Sequence, residues 1–187
     1  MEWLARTLAI IGGLVLTGLV LLTCISVIGR GGNTLGHSDL LAGAAGVADM
    51  LKRLGPVTGD FEVVEAGIAF AIFSFLPICQ LHGGHATVDV FTNMAPKRIN
   101  RVIIAFWEVV LALVLILISW RLFEGLLSKM SNGETTFLLQ FPIWWAYGAS
   151  FAASVGAVVV GVYCAAARVA GLITGGHYLP HSEGAMH

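Results

Sequence analysis

The sequence predicts an all-α membrane protein built as a bundle of four transmembrane helices. Apolar residues make up 57% of the 187 residues and charged residues only 11%, less than half the charged share of globular proteins. The mean hydropathy is +0.87. Four stretches are long and apolar enough to cross a hydrocarbon core about 30 Å thick. Their continuous apolar runs favour helices, because barrel strands alternate apolar and polar residues.

The spans belong to one predicted membrane domain, residues 1–174. They cover residues 8–28, 61–81, 102–123 and 143–167. The first is not expected to be a cleavable signal peptide, because its apolar run is too long and no small-x-small cleavage site precedes a soluble domain. Residues 175–187 have no hydrophobic periodicity, so we expect a disordered tail.

The connection between the first two spans is too polar and too rich in glycine to cross the membrane. Within it, residues 38–54 predict a short amphipathic helix lying in the membrane interface. Ser38 is a suitable N-cap, Lys52 and Arg53 suit the last turn, and a Gly-Pro pair follows. A disordered loop is the alternative interpretation.

Two helix ends carry recognisable local signals. Glu62 and Glu65 are predicted in the first turn of the second helix, where the positive end of the helix dipole favours carboxylates. Pro142 suits the first turn of the fourth helix, because its missing N–H does no harm there. Trp144 and Trp145 are expected at the headgroup level, as part of an aromatic belt.

Charge determines the predicted orientation only weakly. Ten basic residues and eleven acidic residues leave a net charge of −1, so no basic surface for nucleic acid is expected. The basic residues divide equally between the two membrane sides. Because short loops dominate the positive-inside rule, the compact Lys97-Arg98 pair favours a cytoplasmic location for both termini.

Cofactor sites are weakly indicated. A haem would need histidines within the spans, and all six histidines fall outside the predicted ones. His82, His85 and Asp89 could approach a metal, but no fourth ligand is evident. We favour a hydrogen bond between His85 and Asp89, or from each to loop backbone, and predict no cofactor.

Glu108 is the one acid predicted deep inside a span, about two turns into the third helix. It could form an ion or proton site, because intramembrane charges are costly and usually functional. The favoured interpretation is structural, a pair with a cation of a neighbouring helix or of a partner subunit, with possible help from Arg101. The sequence also lacks the repeated broken helices of secondary transporters, so we do not expect transport by this chain alone.

Packing features complete the prediction. In the fourth span, small residues recur every four positions, which allows close helix approach in lipid. They form two rows: Gly148, Ala152, Gly156, and Ala157, Gly161, Ala165. The cysteines match no metal or redox spacing and are predicted to be buried among apolar side chains. They are Cys24, Cys79 and Cys164.

Several motifs within residues 8–170 together resemble one known family. They are Arg30 closing the first span, Gly-Asp-Phe-Glu-Val-Val-Glu at 59–65, Phe-Leu-Pro at 75–77, Gln-Leu-His-Gly-Gly-His at 80–85 followed by Val-Asp at 88–89, Glu-Thr-Thr at 134–136, and Phe-Pro-Ile-Trp at 141–144. In these the chain resembles the small membrane subunit (DctQ-like) of tripartite ATP-independent periplasmic (TRAP) transporters. The Gly-Gly-His-x-x-Val-Asp stretch, with the preceding Glu-x-x-Glu, is the most specific part.

The resemblance implies a supporting role instead of catalysis. A periplasmic substrate-binding protein would deliver an organic acid, a large permease subunit would carry out sodium-coupled translocation, and this chain would support the permease in the bacterial inner membrane. Residues 31–58, longer than usual for the family, could touch the binding protein. The candidate structural or partner contacts are Arg30, Glu62, Glu65, His85, Asp89, Glu108, Pro142, Trp144 and Trp145. The alternative is a self-contained small channel or a cofactor-binding subunit of a membrane enzyme.

Overall fold

All the long secondary-structure elements in the part of the chain that the structure describes are helices. A computed structural model describes residues 1–38, 46, 55–82 and 97–174. It contains α1 (Glu2–Gly36), α2 (Asp60–Leu81), α3 (Lys97–Asn132) and α4 (Trp144–Thr174). All four helices are long and apolar enough to cross a membrane. The predicted all-α fold with four spans is therefore confirmed.

Three helices are longer than their predicted spans. α1 has 35 residues and α3 has 36, which corresponds to about 53 Å in each case. Hydrogen bonding along a helix continues into water beyond the apolar window, so hydropathy marks the membrane crossing and not the helix ends. The predicted interfacial helix, apart from residues 38 and 46, and the predicted disordered tail lie outside the described residues.

The helices pack in the order α1, α2, α4, α3. α2 and α4 lie in the centre, α1 packs mainly on α2, and α3 packs mainly on α4. α2 and α3 make little direct contact. We call one end of the bundle the hairpin end, because it carries the connection 133–143, and the opposite end the N-terminal end. The hairpin end also holds the C-terminus of α1 and the N-terminus of α2.

Small residues bring the helices close together, as expected where lipid provides no hydrophobic drive for association. A Cβ atom on Gly12 would lie 2.6 Å from the Cβ of Ser74 on α2. A Cβ on Gly156 would lie 2.6 Å from a methyl group of Leu8. The second predicted row of α4, residues 157, 161 and 165, is buried inside the bundle. This row therefore serves packing within the chain.

The prediction of buried cysteines was wrong for two of the three. Cys164 is buried, but Cys24 and Cys79 are exposed on the outer surface of the bundle. Lipid tails are as apolar as a protein core, so a small apolar residue in a span fits either environment. Sequence alone could not distinguish the two.

The connection between α3 and α4 forms a tight hairpin over the end of the bundle. Gly133 and Gln140 have positive φ angles of 62° and 53°, which let the chain reverse. The N–H of Thr136 donates to the Phe141 carbonyl at 3.0 Å. Pro142 forms an isolated bridge with Thr135, so its predicted place in the first turn of α4 was wrong. The bridge holds Pro142 two residues ahead of the helix.

Candidate functional site

Asp60, the first residue of α2, joins the ends of two helices. The hydroxyl of Ser26 on α1 donates to one of its carboxylate oxygens, and the N–H of Phe61 donates to the other at 2.8 Å. The Arg30 guanidinium lies 3.8 Å from the same carboxylate. Ser26 is completely buried, so this contact fixes α1 against α2 beneath an exposed cation.

Glu62 holds the hairpin onto α2. Its two carboxylate oxygens accept hydrogen bonds from the backbone N–H groups of Leu138, at 2.6 Å, and Leu139, at 2.9 Å. The Leu139 side chain rests on Gly59, the N-cap residue of α2, whose φ of 78° suits glycine. Phe137 next to these residues is 90% exposed. The carboxylate therefore fixes the backbone of a loop whose apolar tip points outwards.

A second ionic contact closes the base of the hairpin. The Lys129 ammonium group donates to the Glu134 carboxylate at 2.5 Å, and the side-chain amide of Asn132 donates to the same group at 3.1 Å. The hydrogen bond from Lys129, followed by the one from Asn132, lowers the pKa of Glu134 below its ordinary value. Glu134 thus stays ionised in moderately acidic solution.

A groove opens between α2 and α3 beneath the hairpin, and we call it the α2–α3 groove. Its volume is about 690 Å³. The wall is mostly apolar, with α4 as its floor and the hairpin as its roof. The lining residues are Phe61, Glu62, Glu65, Ala66, Ala69, Leu122, Thr135, Thr136, Phe137, Leu138, Phe141, Ile143, Ala146, Tyr147 and Ser150.

Glu108 lies in a polar contact near the N-terminal end. It is 5% exposed. The side-chain amide of Gln80 donates to one carboxylate oxygen at 3.4 Å, and Nε of Arg168 on α4 lies 4.0 Å from the other. Gly161 makes room for this arrangement, because a Cβ there would lie 2.9 Å from the Gln80 amide oxygen. The contact joins α2, α3 and α4 across the gap between α2 and α3.

Trp144 and Trp145 begin α4 as an edge-to-face pair. Their ring centroids are 6.0 Å apart with an interplanar angle of 83°, a favourable geometry for aromatic rings. They are 37% and 58% exposed. Their place at the hairpin end is consistent with the predicted aromatic belt.

The structure brings Arg30, Glu62, Glu65 and Trp145 to the hairpin end and places Glu108 near the opposite end. His85 and Asp89 lie outside the described residues, as does the Arg101 side chain that was expected to assist Glu108. The interpretation of Glu108 as one half of a pair with a cation of a neighbouring helix is consistent with Arg168.

Three contacts were not predicted from the sequence. Ser26 and Asp60 were not paired, and the hairpin amides were not recognised as ligands of Glu62. Arg168 was not named as the cation that faces Glu108. The sequence did contain a signal for the pairing of Arg168 with Glu108. Arg168 lies at the end of the fourth span and Glu108 near the start of the antiparallel third span, so the two lie at similar depth in the membrane.

One comparison with known proteins gives a match. The sequence model for the DctQ component of tripartite ATP-independent periplasmic transporters matches residues 44–173, which is well over half of the chain. The chain belongs to the DctQ family. No curated protein and no solved structure shows significant similarity to it. The resemblance found in the sequence motifs is thereby confirmed.

Membership of the DctQ family makes the chain a small component of a TRAP transporter. TRAP transporters are tripartite, and this component acts with a large permease and a periplasmic binding protein. Its four apolar helices agree with a multi-pass membrane protein. The DctQ family is a family of transporter components.

Proposed function

We propose that this chain braces the large permease subunit of a TRAP-type secondary transporter in the bacterial inner membrane. The transporter takes up an organic acid delivered by the periplasmic binding protein, coupled to sodium entry. The observation that carries this proposal is the DctQ match over residues 44–173. The permease provides the translocation pathway, and the small subunit provides a rigid membrane support.

The contacts within the bundle support a bracing role. Ionisable groups at membrane depth usually mark ion or substrate pathways. Here the buried Glu108 is engaged by Gln80 and Arg168, and Asp60 is engaged by Ser26 and Arg30. Both sets of contacts join different helices, so they fix helix positions.

Orientation is part of the proposal. With both termini in the cytoplasm, the hairpin end faces the periplasm and the N-terminal end faces the cytoplasm. Residues 31–58 then lie on the side where the binding protein docks, and contact with that protein is proposed for them. Phe137 offers a test because it is 90% exposed. In a variant without the native cysteines, Phe137→Cys should react with a membrane-impermeant maleimide added to intact spheroplasts.

The residues proposed from the sequence as partner contacts fall into two groups: those with exposed side chains and those whose side chains already have partners within the chain. Arg30 and Trp145 have exposed side chains at the hairpin end and are proposed to contact the permease directly, with His85 and Asp89 as further candidates. Glu62 and Glu108 already have partners within the chain. We propose that these two position the bundle for the permease without touching it.

The decisive experiment is coexpression of the chain with the large permease subunit, followed by purification in mild detergent and reconstitution. We expect a stable complex, and solute uptake only when both subunits, the binding protein and a sodium gradient are present. Trp145→Ala should lower the amount of copurified permease. Trp120→Ala is the matched control, since Trp120 is similarly exposed, at 65%, but on α3. Uptake by this chain alone would refute the bracing role and favour a self-contained channel.

A further inference from the structure

Among the described acidic residues at the hairpin end, one has no hydrogen-bond or ion-pair partner within the described part of the chain. Four of the five have partners within the chain: Asp60 with Ser26 and Arg30, Glu62 with the hairpin amides, Glu124 with Arg121, and Glu134 with Lys129. Glu65 is exposed and has no hydrogen bond or ion pair with any described residue. Its side chain lines the α2–α3 groove.

The floor of the groove offers a second unused polar group. Ser150 on α4 is 2% exposed and lines the groove. Its hydroxyl has no hydrogen-bond partner among the described residues, although the neighbouring buried serine, Ser154, bonds to Phe151 and Ser119. The groove therefore combines an apolar wall with one carboxylate and one hydroxyl that have no hydrogen-bond partner among the described residues.

The size and position of the groove restrict its occupant. Ligand sites are usually concave, mostly apolar and a few hundred cubic ångströms in volume, with a small number of polar groups that fix orientation. A flexible acyl chain can adapt its shape to the apolar wall of such a groove, whereas a rigid helix about 10 Å across needs a groove of matching shape.

The charge and depth of the polar groups identify the headgroup. Glu65 lies about 8 Å along α2 from its first residue, by helical rise. Side chains on a helix lean towards its N-terminus, so the Glu65 carboxylate can reach the headgroup layer at the hairpin end. A carboxylate there attracts a cation. Ser150, two turns inside α4, can donate a hydrogen bond to an ester carbonyl oxygen. We propose that the α2–α3 groove binds one phospholipid with a primary ammonium headgroup, held by Glu65 and Ser150.

The test uses the full chain in nanodiscs that contain equal amounts of phosphatidylethanolamine and phosphatidylglycerol with identical acyl chains. Lipid that remains bound after gentle release is counted by native mass spectrometry. We expect one phosphatidylethanolamine per chain, in preference to phosphatidylglycerol. Glu65→Gln should reduce this preference about two- to fivefold, the range expected for one exposed ion pair. Free ethanolamine should not compete, because it has no chain to fill the groove.

Two further variants separate lipid binding from a general change in the protein. Glu124→Gln removes a carboxylate from the same end of the bundle but outside the groove, and should leave the preference unchanged. Ala69→Phe fills the groove and should abolish retention of the lipid, while circular dichroism reports whether the helices remain intact. An unchanged preference in Glu65→Gln would overturn the proposal. So would a photocrosslinker at position 69 that attaches to the permease in the complex and not to lipid.

Discussion

Loss of the Glu62 carboxylate should release the hairpin from α2. Its two oxygens accept N–H groups at 2.6 and 2.9 Å, and a hydrogen bond to a charged acceptor contributes about 1.5–3 kcal/mol when buried. Both bonds are partly accessible to solvent, and water can replace the carboxylate. We therefore expect Glu62→Ala to destabilise the closed hairpin, but by less than these buried bonds would contribute. Glu62→Gln, which keeps one acceptor oxygen, should destabilise it less than alanine does.

Hydrogen exchange of the backbone amides is the suitable measurement, because it reports local opening separately from global unfolding. For Leu138 and Leu139, Glu62→Ala should lower protection roughly tenfold and Glu62→Gln roughly threefold. Glu65→Ala is the matched control, since it removes a carboxylate one turn deeper in α2 that does not bond to the hairpin. Protection that stays within twofold of the original in Glu62→Ala would refute the reasoning.

Three further perturbations test other contacts. Glu108→Ala removes a buried carboxylate and leaves its cation unpaired, which should cost about 2–4 kcal/mol and lower the melting temperature in detergent. Gly161→Ala places a Cβ 2.9 Å from the Gln80 amide oxygen and should cost about 1–3 kcal/mol through overpacking, measured in the same way. Because the folded-state pKa of Glu134 is lowered, its bond to Lys129 stabilises the hairpin above the ordinary carboxyl pKa. That stability should be lost as the pH falls through the folded-state value, and exchange at residues 133–136 measures it.

Each of these three predictions has a result that would contradict it. An unchanged melting temperature for Glu108→Ala would mean that the buried pair contributes nothing to the bundle. Gly148→Ala is the control for Gly161→Ala, since the nearest atom to a Cβ at residue 148 is 3.8 Å away, so equal effects would contradict the packing argument. For Glu134, exchange that is independent of pH after correction for the intrinsic rate would show that the ion pair does not hold the hairpin.

The spans were predictable because membrane crossing depends on composition averaged over about 20 residues. Packing order was not predictable. Nothing in the sequence reveals that α4 lies between α2 and α3, since its rows of small residues allow close approach to any neighbouring helix. Glu108 illustrates the limit. Its depth in the membrane and its need for a partner follow from its surroundings in the sequence, but the choice of Arg168 and Gln80 depends on that packing order.

The hairpin end shows the same limit for a local feature. Glu62 was correctly assigned to the first turn of α2, where the helix dipole favours a carboxylate. Its actual ligands are amides that lie 76 and 77 residues away in the chain. Backbone groups have no sequence signature, so a carboxylate that binds them is recognised only in three dimensions. Glu65 was predicted in the same turn, and this was wrong. The helix begins at Asp60 and the acidic residues of its first turn are Asp60 and Glu62, so Glu65 lies in the second turn.

The attachment of the hairpin through its backbone leaves its side chains free to vary. Glu62 contacts the N–H groups of Leu138 and Leu139, which every amino acid except proline possesses. Residues 137 and 138 could therefore be exchanged for others, including charged ones, without loss of the loop conformation. Homologous transporters could in this way adapt the outermost surface of the subunit to different neighbours while keeping the same scaffold.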